Sequence, residues 1–200
     1  MTVDTDTPAA ILWIDGVGGF LVLRSADVSL GPAFADPAPD IAILADLSRH
    51  HATIRRDGES YWLSADKAAS VNLTPAAKAH LRDGDRITLG ASCQLLFAQP
   101  EPLSASARLT LTSGHRFAQP VDAVLLMAET LIIDRSLQAH IRAPDLTRRV
   151  VIHRQGRDFA VKAGFSIRTN GQSFSDRAML TPGETCTIED LAMTLEILPT

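Results

Sequence analysis

Ile11-Leu12-Trp13-Ile14, Asp15-Gly16-Val17-Gly18-Gly19 and Phe20-Leu21-Val22-Leu23 follow one another near the start of the chain. Two short apolar runs joined by a glycine-rich turn read as a β-hairpin. The glycines hint at a loop that cradles phosphate. A strand rather than a helix follows them, however, so a nucleotide site is not expected.

The same grammar continues downstream. Strands are expected at Asp27 to Leu30, Ile41 to Leu44, His51 to Arg55, Tyr61 to Ser64, Ser70 to Leu73, Arg86 to Leu89 and Cys93 to Phe97. Asp57-Gly58 and Asp83-Gly84 supply turns between them. A helical turn is expected at Thr74 to His80, where Thr74 can cap and Pro75 can take the first helical position. Short strands at this spacing, with no long helical period, indicate an all-β sandwich.

The order then repeats. After the Pro-containing segment Gln99-Pro100-Glu101-Pro102-Leu103-Ser104, new strands are expected from Arg108-Leu109-Thr110-Leu111-Thr112 onward to Met193 to Leu198. Ala45-Asp46-Leu47-Ser48-Arg49 is matched by Pro144-Asp145-Leu146-Thr147-Arg148. Leu81-Arg82-Asp83-Gly84-Asp85 is matched by Leu180-Thr181-Pro182-Gly183-Glu184. An internal duplication follows, with domains expected at 10–98 and 107–199 and a linker at 99–106. So short a linker implies a fixed relative orientation.

The 200 residues carry a net charge of −4, with 46% hydrophobic and 21% charged residues, a composition that supports a sizeable core. The mild acidity argues against general nucleic-acid binding. Arg148-Arg149, His153-Arg154 and Arg157 form a basic cluster without interleaved aromatics, better read as a solvated strand face or a protein contact. Cys93 and Cys186 have no metal-like spacing and read as strand thiols in a reducing, cytoplasmic setting. Met1 to Thr7 lacks a basic start followed by an apolar run, so no signal peptide is expected. Val121 to Ile133 is too short to span a bilayer, and no membrane association is expected.

The N-terminal half resembles the forkhead-associated (FHA) family. The resemblance rests on Val28-Ser29-Leu30-Gly31, Leu47-Ser48-Arg49-His50-His51-Ala52, Val71-Asn72 and Leu81-Arg82-Asp83-Gly84-Asp85-Arg86-Ile87-Thr88-Leu89-Gly90. The family pattern is Gly-Arg, Ser-Arg-x-His-Ala, Asn-Gly and Leu-x-x-Gly-Asp-x-Ile-x-Leu-Gly. The resemblance implies two tandem FHA/SMAD-like β-sandwich domains, the second degenerate. It further implies a protein-interaction module that recognises phosphothreonine peptides through its first domain. Ser48 would bind phosphate, Arg49 and Asn72 would contact the peptide, and Gly31 and His51 would support the loops. A phosphothreonine carries nearly two negative charges and three strong acceptor oxygens, which a hydroxyl and a guanidinium suit.

Two departures bear on that expectation. Gly31-Pro32 replaces Gly-Arg, removing the family's main phosphate arginine and leaving no donor at Pro32. Arg24, Arg55 and Arg56 are candidate substitutes. Asn72-Leu73 replaces Asn-Gly. The second half keeps Thr147-Arg148 and Asn170-Gly171 but has Ile133-Asp134 for Gly-Arg and Val150 in the histidine slot. A carboxylate there should repel phosphate, with Arg135 as a possible counterweight. The alternative is a phosphate-independent adaptor or scaffold. No metal site, cofactor or enzymatic activity is expected: adjacent His50 and His51 face opposite sides of a strand, and Ser48 sits on a binding loop rather than a nucleophile elbow.

Overall fold

A computed structural model describes residues 9–199, so the segment Met1 to Thr7 lies outside the described residues. The opening hairpin consists of β1 (Ala10–Ile14) and β2 (Gly18–Leu23). A nine-strand body follows: β3 (Asp27–Pro32), β4 (Ile41–Leu44), β5 (Ala52–Asp57), β6 (Ser60–Ala65), β7 (Ala69–Val71), β8 (Thr74–Pro75), β9 (Lys78–Leu81), β10 (Arg86–Leu89) and β11 (Cys93–Ala98). A 3-10 turn (Pro102–Ser104) leads to β12 (Ala107–Leu111), β13 (Arg116–Phe117) and β14 (Ala123–Leu126). The second body comprises β15 (Thr130–Asp134), β16 (Ile141–Arg142), β17 (Val150–Gln155), β18 (Asp158–Ala163), β19 (Ile167–Thr169), β20 (Gln172–Phe174), β21 (Arg177–Leu180), β22 (Thr185–Ile188) and β23 (Leu191–Ile197).

The all-β expectation is met, with β strands throughout and two sandwiches. The expected helical turn at Thr74 to His80 is not formed. Asn72 and Leu73 both adopt positive φ (51° and 67°), which reverses the chain and pairs β7 with β8. β9 then pairs with β6. Sheet pairing has overridden the local preference of Thr74-Pro75 for a helix start.

The contiguous division into 10–98 and 107–199 needs correcting. One 12-stranded sheet runs β20-β19-β22-β23-β1-β2-β14-β12-β11-β10-β7-β8. Here the last strand of the first body, β11, pairs with β12, whereas the last strand of the chain, β23, pairs with β1. The opening hairpin therefore completes the second sandwich, and β12 with β14 completes the first. The two bodies exchange these strands within one chain.

At the centre of the sheet, β2 and β14 pair in parallel, with Phe20 opposite Ala123 and Leu23 opposite Leu126. Strand order outward from this seam is the same on both sides. The sheet formed by β13-β4-β3-β5-β6-β9 and that formed by β16-β15-β17-β18-β21 provide the covering layers. Successive side chains on a strand point to opposite faces. Accordingly Leu12, Phe20, Val22 and Leu125 join the core of the second sandwich, while Ile11, Leu21, Leu23, Val124 and Leu126 join the core of the first. Strands buried on both faces read as unbroken apolar runs. This is the physical reason for Phe20-Leu21-Val22-Leu23 and Val124-Leu125-Leu126. Truncating a fully buried leucine such as Leu125 to alanine costs about 2–5 kcal/mol.

The segment expected to be a linker is tied into both bodies. Tyr61 Oη lies 2.9 Å from Ala105 O and 3.2 Å from Leu126 O. Ser106 Oγ donates to Thr130 O at 2.7 Å and accepts from Ala128 N at 3.0 Å. His140, with no exposed surface, accepts from Ile132 N on Nδ1 at 3.1 Å and has Nε2 3.0 Å from Ser104 Oγ. These bonds suit a neutral ring protonated on Nε2.

Candidate functional site

The loop between β4 and β5 holds Ser48, Arg49, His50 and His51. His51 N donates to Leu30 O at 3.1 Å, beginning the register of β5 against β3. The ring turns inward and is 3% exposed, while neighbouring His50 is exposed. Ring Nδ1 accepts from the amide of Ser48 at 3.2 Å, so the proton sits on Nε2, which donates to Ala68 O at 2.9 Å. The Gly90 amide donates to the same Ala68 O at 2.9 Å and also points toward Nε2 from 3.1 Å. One imidazole thus joins the β4–β5 loop to the β6–β7 loop, residues 66–68. The amide of Asp66 reinforces the junction by donating to His51 O at 3.1 Å.

Gly31 supports the same loop from below. A Cβ there would lie 2.5 Å from Arg49 O and 3.4 Å from Ser48 O, so the close approach requires glycine. Leu47 is 7% exposed and anchors the loop in the core. Ser48 is half-buried, and the Arg49 side chain is exposed with no salt-bridge partner among the described residues.

The structure thus brings Ser48, Arg49, His51 and Gly31 together, but not Asn72. The Asn72 amide nitrogen donates to Arg86 O at 2.8 Å, and its side chain bonds Asp85 and the Arg86 amide at 2.7 and 3.0 Å. Arg86 begins β10, whereas Gly90 follows the end of that strand. Four residues of extended chain separate them by about 13 Å. Asn72 therefore stabilises the β7–β8 turn at the end of β10 opposite the β4–β5 loop.

None of the candidate substitute arginines reaches Pro32, which is buried at the end of β3. Arg24 is 5% exposed, donates to Arg157 O at 2.7 Å and packs over the Phe159 ring. Arg55 pairs with Asp27 at 3.8 Å, at the other end of β3, and Arg56 follows it. A different cation stands at the site's end of the sandwich. Lys67 lies between Asp66 and Ala68, the two residues bonded to His51, and is exposed without a salt-bridge partner among the described residues. A lone lysine in Asp66-Lys67-Ala68 carries no sequence signal, because its nearness to the His51 loop arises only from the fold.

The second sandwich has the equivalent loops with different chemistry. Thr147 occupies the place of Ser48, but its hydroxyl lies 2.8 Å from both Glu189 carboxylate oxygens. Glu189 follows β22 as Gly90 follows β10, and both have positive φ (50° and 60°). Asp15, Asp145, Glu189 and Asp190 help line a cavity of about 360 Å³ here. Asp134, expected to face phosphate, instead pairs with Arg149 at 3.1 Å. Partial burial works against its ionisation, but Arg149 and the amides of Ser136 and Arg135 outweigh this and lower its pKa. Arg148, equivalent to Arg49, donates to Gly164 O at 3.3 Å and lies 5.7 Å from the Phe165 ring centre. The basic cluster is therefore largely engaged within the protein. Val150, in the histidine slot, is fully buried in the core. The Asn170-Gly171 turn keeps positive φ at both residues (50° and 70°).

Cys93 and Cys186 are free and buried, and burial pushes both thiols up to about 11. Among the described residues, no group of three or more His, Cys, Asp or Glu side chains could hold a metal ion. No helix among them is long and apolar enough to cross a membrane.

No family model matches the chain, and no curated protein matches it. Among solved structures, it is similar to the second FHA domain of the Mycobacterium tuberculosis ABC transporter Rv1747. That likeness has 29% identity over 46% of this chain and 79% of the other, with a TM-score of 0.36. An FHA domain from a study of phosphothreonine-dependent interactions shares 26% identity over 41% of this chain and 88% of its own, with a TM-score of 0.26. The N-terminal FHA domain of EssC, a component of the bacterial Type VII secretion apparatus, matches 94% of this chain and 92% of its own at 13% identity, with a TM-score of 0.25. Each of these likenesses is to an FHA domain. In its own residues, the body of β3 to β11 carries the Ser48-Arg49-x-His51-Ala52 loop held by Gly31 and His51.

Proposed function

We propose that this chain is a protein-interaction module whose first sandwich binds phosphothreonine peptides at the end formed by the β4–β5 and β6–β7 loops. The observation that carries this reading is the pairing of the half-buried Ser48 with the exposed Arg49, which has no salt-bridge partner among the described residues, on a loop fixed by Gly31 and His51. A guanidinium gives planar paired donors and a hydroxyl gives one more, which suits a phosphate monoester. Rigid placement limits the ordering cost of binding. Binding rather than catalysis is the task, and two buried free thiols fit a cytoplasmic setting.

The second sandwich supports a different role. Glu189 already occupies the Thr147 hydroxyl, and three further carboxylates line the adjoining cavity, an unfavourable environment for a dianion. Phosphate-independent docking or structural completion of the first sandwich fits that end better. An array of phosphothreonine peptides beside their unphosphorylated counterparts tests the division. The full chain should retain phosphorylated spots selectively, and equal retention of both sets would refute the phosphate-dependent reading.

A further inference from the structure

The two copies of the fold report on one another at positions 49 and 67. The β6–β7 loop occupies 66–68 and the β18–β19 loop occupies 164–166, each joining equivalent strands through three residues. Lys67 is thus equivalent to Phe165, as Arg49 is to Arg148. In the second copy the side chains at these positions meet: the Arg148 guanidinium lies 5.7 Å from the Phe165 ring centre. In the first copy the same two loops are bridged by His51, whose opposite ring nitrogens contact the Ser48 amide and the Ala68 carbonyl.

By that equivalence Arg49 and Lys67 project from adjoining loops joined by His51, at the positions where Arg148 and Phe165 meet in the second copy. Neither has a salt-bridge partner among the described residues. Like charges so placed repel unless an anion lies between them. In the second copy an aromatic ring replaces the second cation, and the arginine is satisfied within the protein.

Resting on the phosphopeptide reading above, we infer that Lys67 supplies the second phosphate cation, from the β6–β7 loop, in place of the arginine missing at Pro32. The ligand it selects is a phosphate monoester dianion on a protein partner. Lysine reaches as a flexible point charge, so position 67 needs a long cation rather than a planar fork. The two-cation clamp also makes affinity fall as salt rises.

The test uses the full chain and a fluorescein-labelled peptide library with phosphothreonine at the centre of random flanks, beside the same library carrying threonine. Lys67→Ala should weaken binding of the phosphorylated library about ten- to hundredfold. Lys67→Glu should weaken it further, and Lys67→Arg should restore most of it. Arg55→Ala, which removes a cation at the far end of the sandwich, should bind like the parent. If the parent chain prefers the phosphorylated library but Lys67→Ala and Lys67→Glu both match it, the role of Lys67 is overturned and the phosphopeptide reading stands. If the parent chain does not distinguish the libraries, both are overturned. Unchanged melting of Lys67→Ala, expected for an exposed side chain, separates loss of charge from loss of fold.

Discussion

Gly31 and Arg49 meet backbone to backbone: a Cβ on Gly31 would lie 2.5 Å from the carbonyl oxygen of Arg49. The obstacle is main chain held by neighbouring hydrogen bonds, not a flexible side-chain tip. Gly31→Ala should therefore displace the β4–β5 loop, costing about 1–3 kcal/mol. Urea denaturation would measure that loss, and an unchanged midpoint would show that the loop yields freely. Phosphopeptide affinity should fall with it, because Ser48 and Arg49 ride on the displaced segment.

Gly90 and Glu189 occupy equivalent turns, and Glu189 places its carboxylate on the hydroxyl of Thr147. Gly90→Glu should bring a carboxylate to Ser48 in the same way. A Cβ at Gly90 meets no atom closer than 3.4 Å, so space permits the side chain, although its φ of +60° adds strain. Binding of a phosphothreonine peptide should drop at least tenfold through charge repulsion. Retained affinity, measured by fluorescence anisotropy, would contradict the proposed position of the phosphate.

Leu73 adopts φ 67° where the second copy has Gly171 at φ 70°. The side chain is 88% exposed, so it gains little from burial to offset the strained backbone. Leu73→Gly should stabilise the protein by about 1 kcal/mol, raising the melting temperature by roughly 2–4 °C. Gly171→Ala should act in the opposite direction. A lower melting temperature for Leu73→Gly would show that Leu73 has a packing role.

His140 is buried at the junction of the bodies. Burial pushes its pKa down to about 4, the Ser106 carbonyl works in the opposite direction, and Arg108 adds to the depression. The unfolded chain takes up this proton near pH 6.5, the folded chain only near 4. Between those values unfolding binds a proton, so acid favours the unfolded state. The contribution is complete above pH 6.5 and is lost as pH falls toward 4, amounting to about 3 kcal/mol. Urea denaturation from pH 7 to 4 should show that slope, flattened in His140→Gln. The same slope in both proteins would place its origin elsewhere.

Strand exchange makes the bodies interdependent. A fragment of residues 1–100 lacks β12 and β14, and a fragment of residues 101–200 lacks β1 and β2. Each exposes the apolar edge and core that the other covers. Neither should give a dispersed amide NMR spectrum alone, and mixing them should restore the spectrum of the full chain. Independent folding of either fragment, or independent tumbling of the halves in the full chain, would contradict the exchange.

Much of this was legible from local patterning. Apolar runs, paired turns and the repeated Asp-Leu-Ser/Thr-Arg segment are enough to expect two sandwiches, and Ser48-Arg49-x-His51 locates one loop. The partnership of each hairpin was not legible, because hydrogen bonding along β1 is satisfied equally by β11 or β23. The runs Phe20-Leu21-Val22-Leu23 and Val124-Leu125-Leu126, too apolar for strands with one wet face, signal burial on both sides. The bonds of Asn72 to Asp85 and Arg86 were not legible, because an asparagine before a turn has the same sequence appearance whether it grips a ligand or its own hairpin. Lys67 was missed because its significance comes from the contact of Ala68 with His51 and from its equivalence to Phe165.

The central claim is tested most directly by amide chemical-shift mapping of the full chain during titration with a phosphothreonine peptide. Shifts should concentrate at residues 47–51 and 66–68, leave residues 144–149 and 189–190 unchanged, and disappear for the peptide without phosphate. Shifts centred on the second sandwich, or identical shifts with the unphosphorylated peptide, would contradict the account.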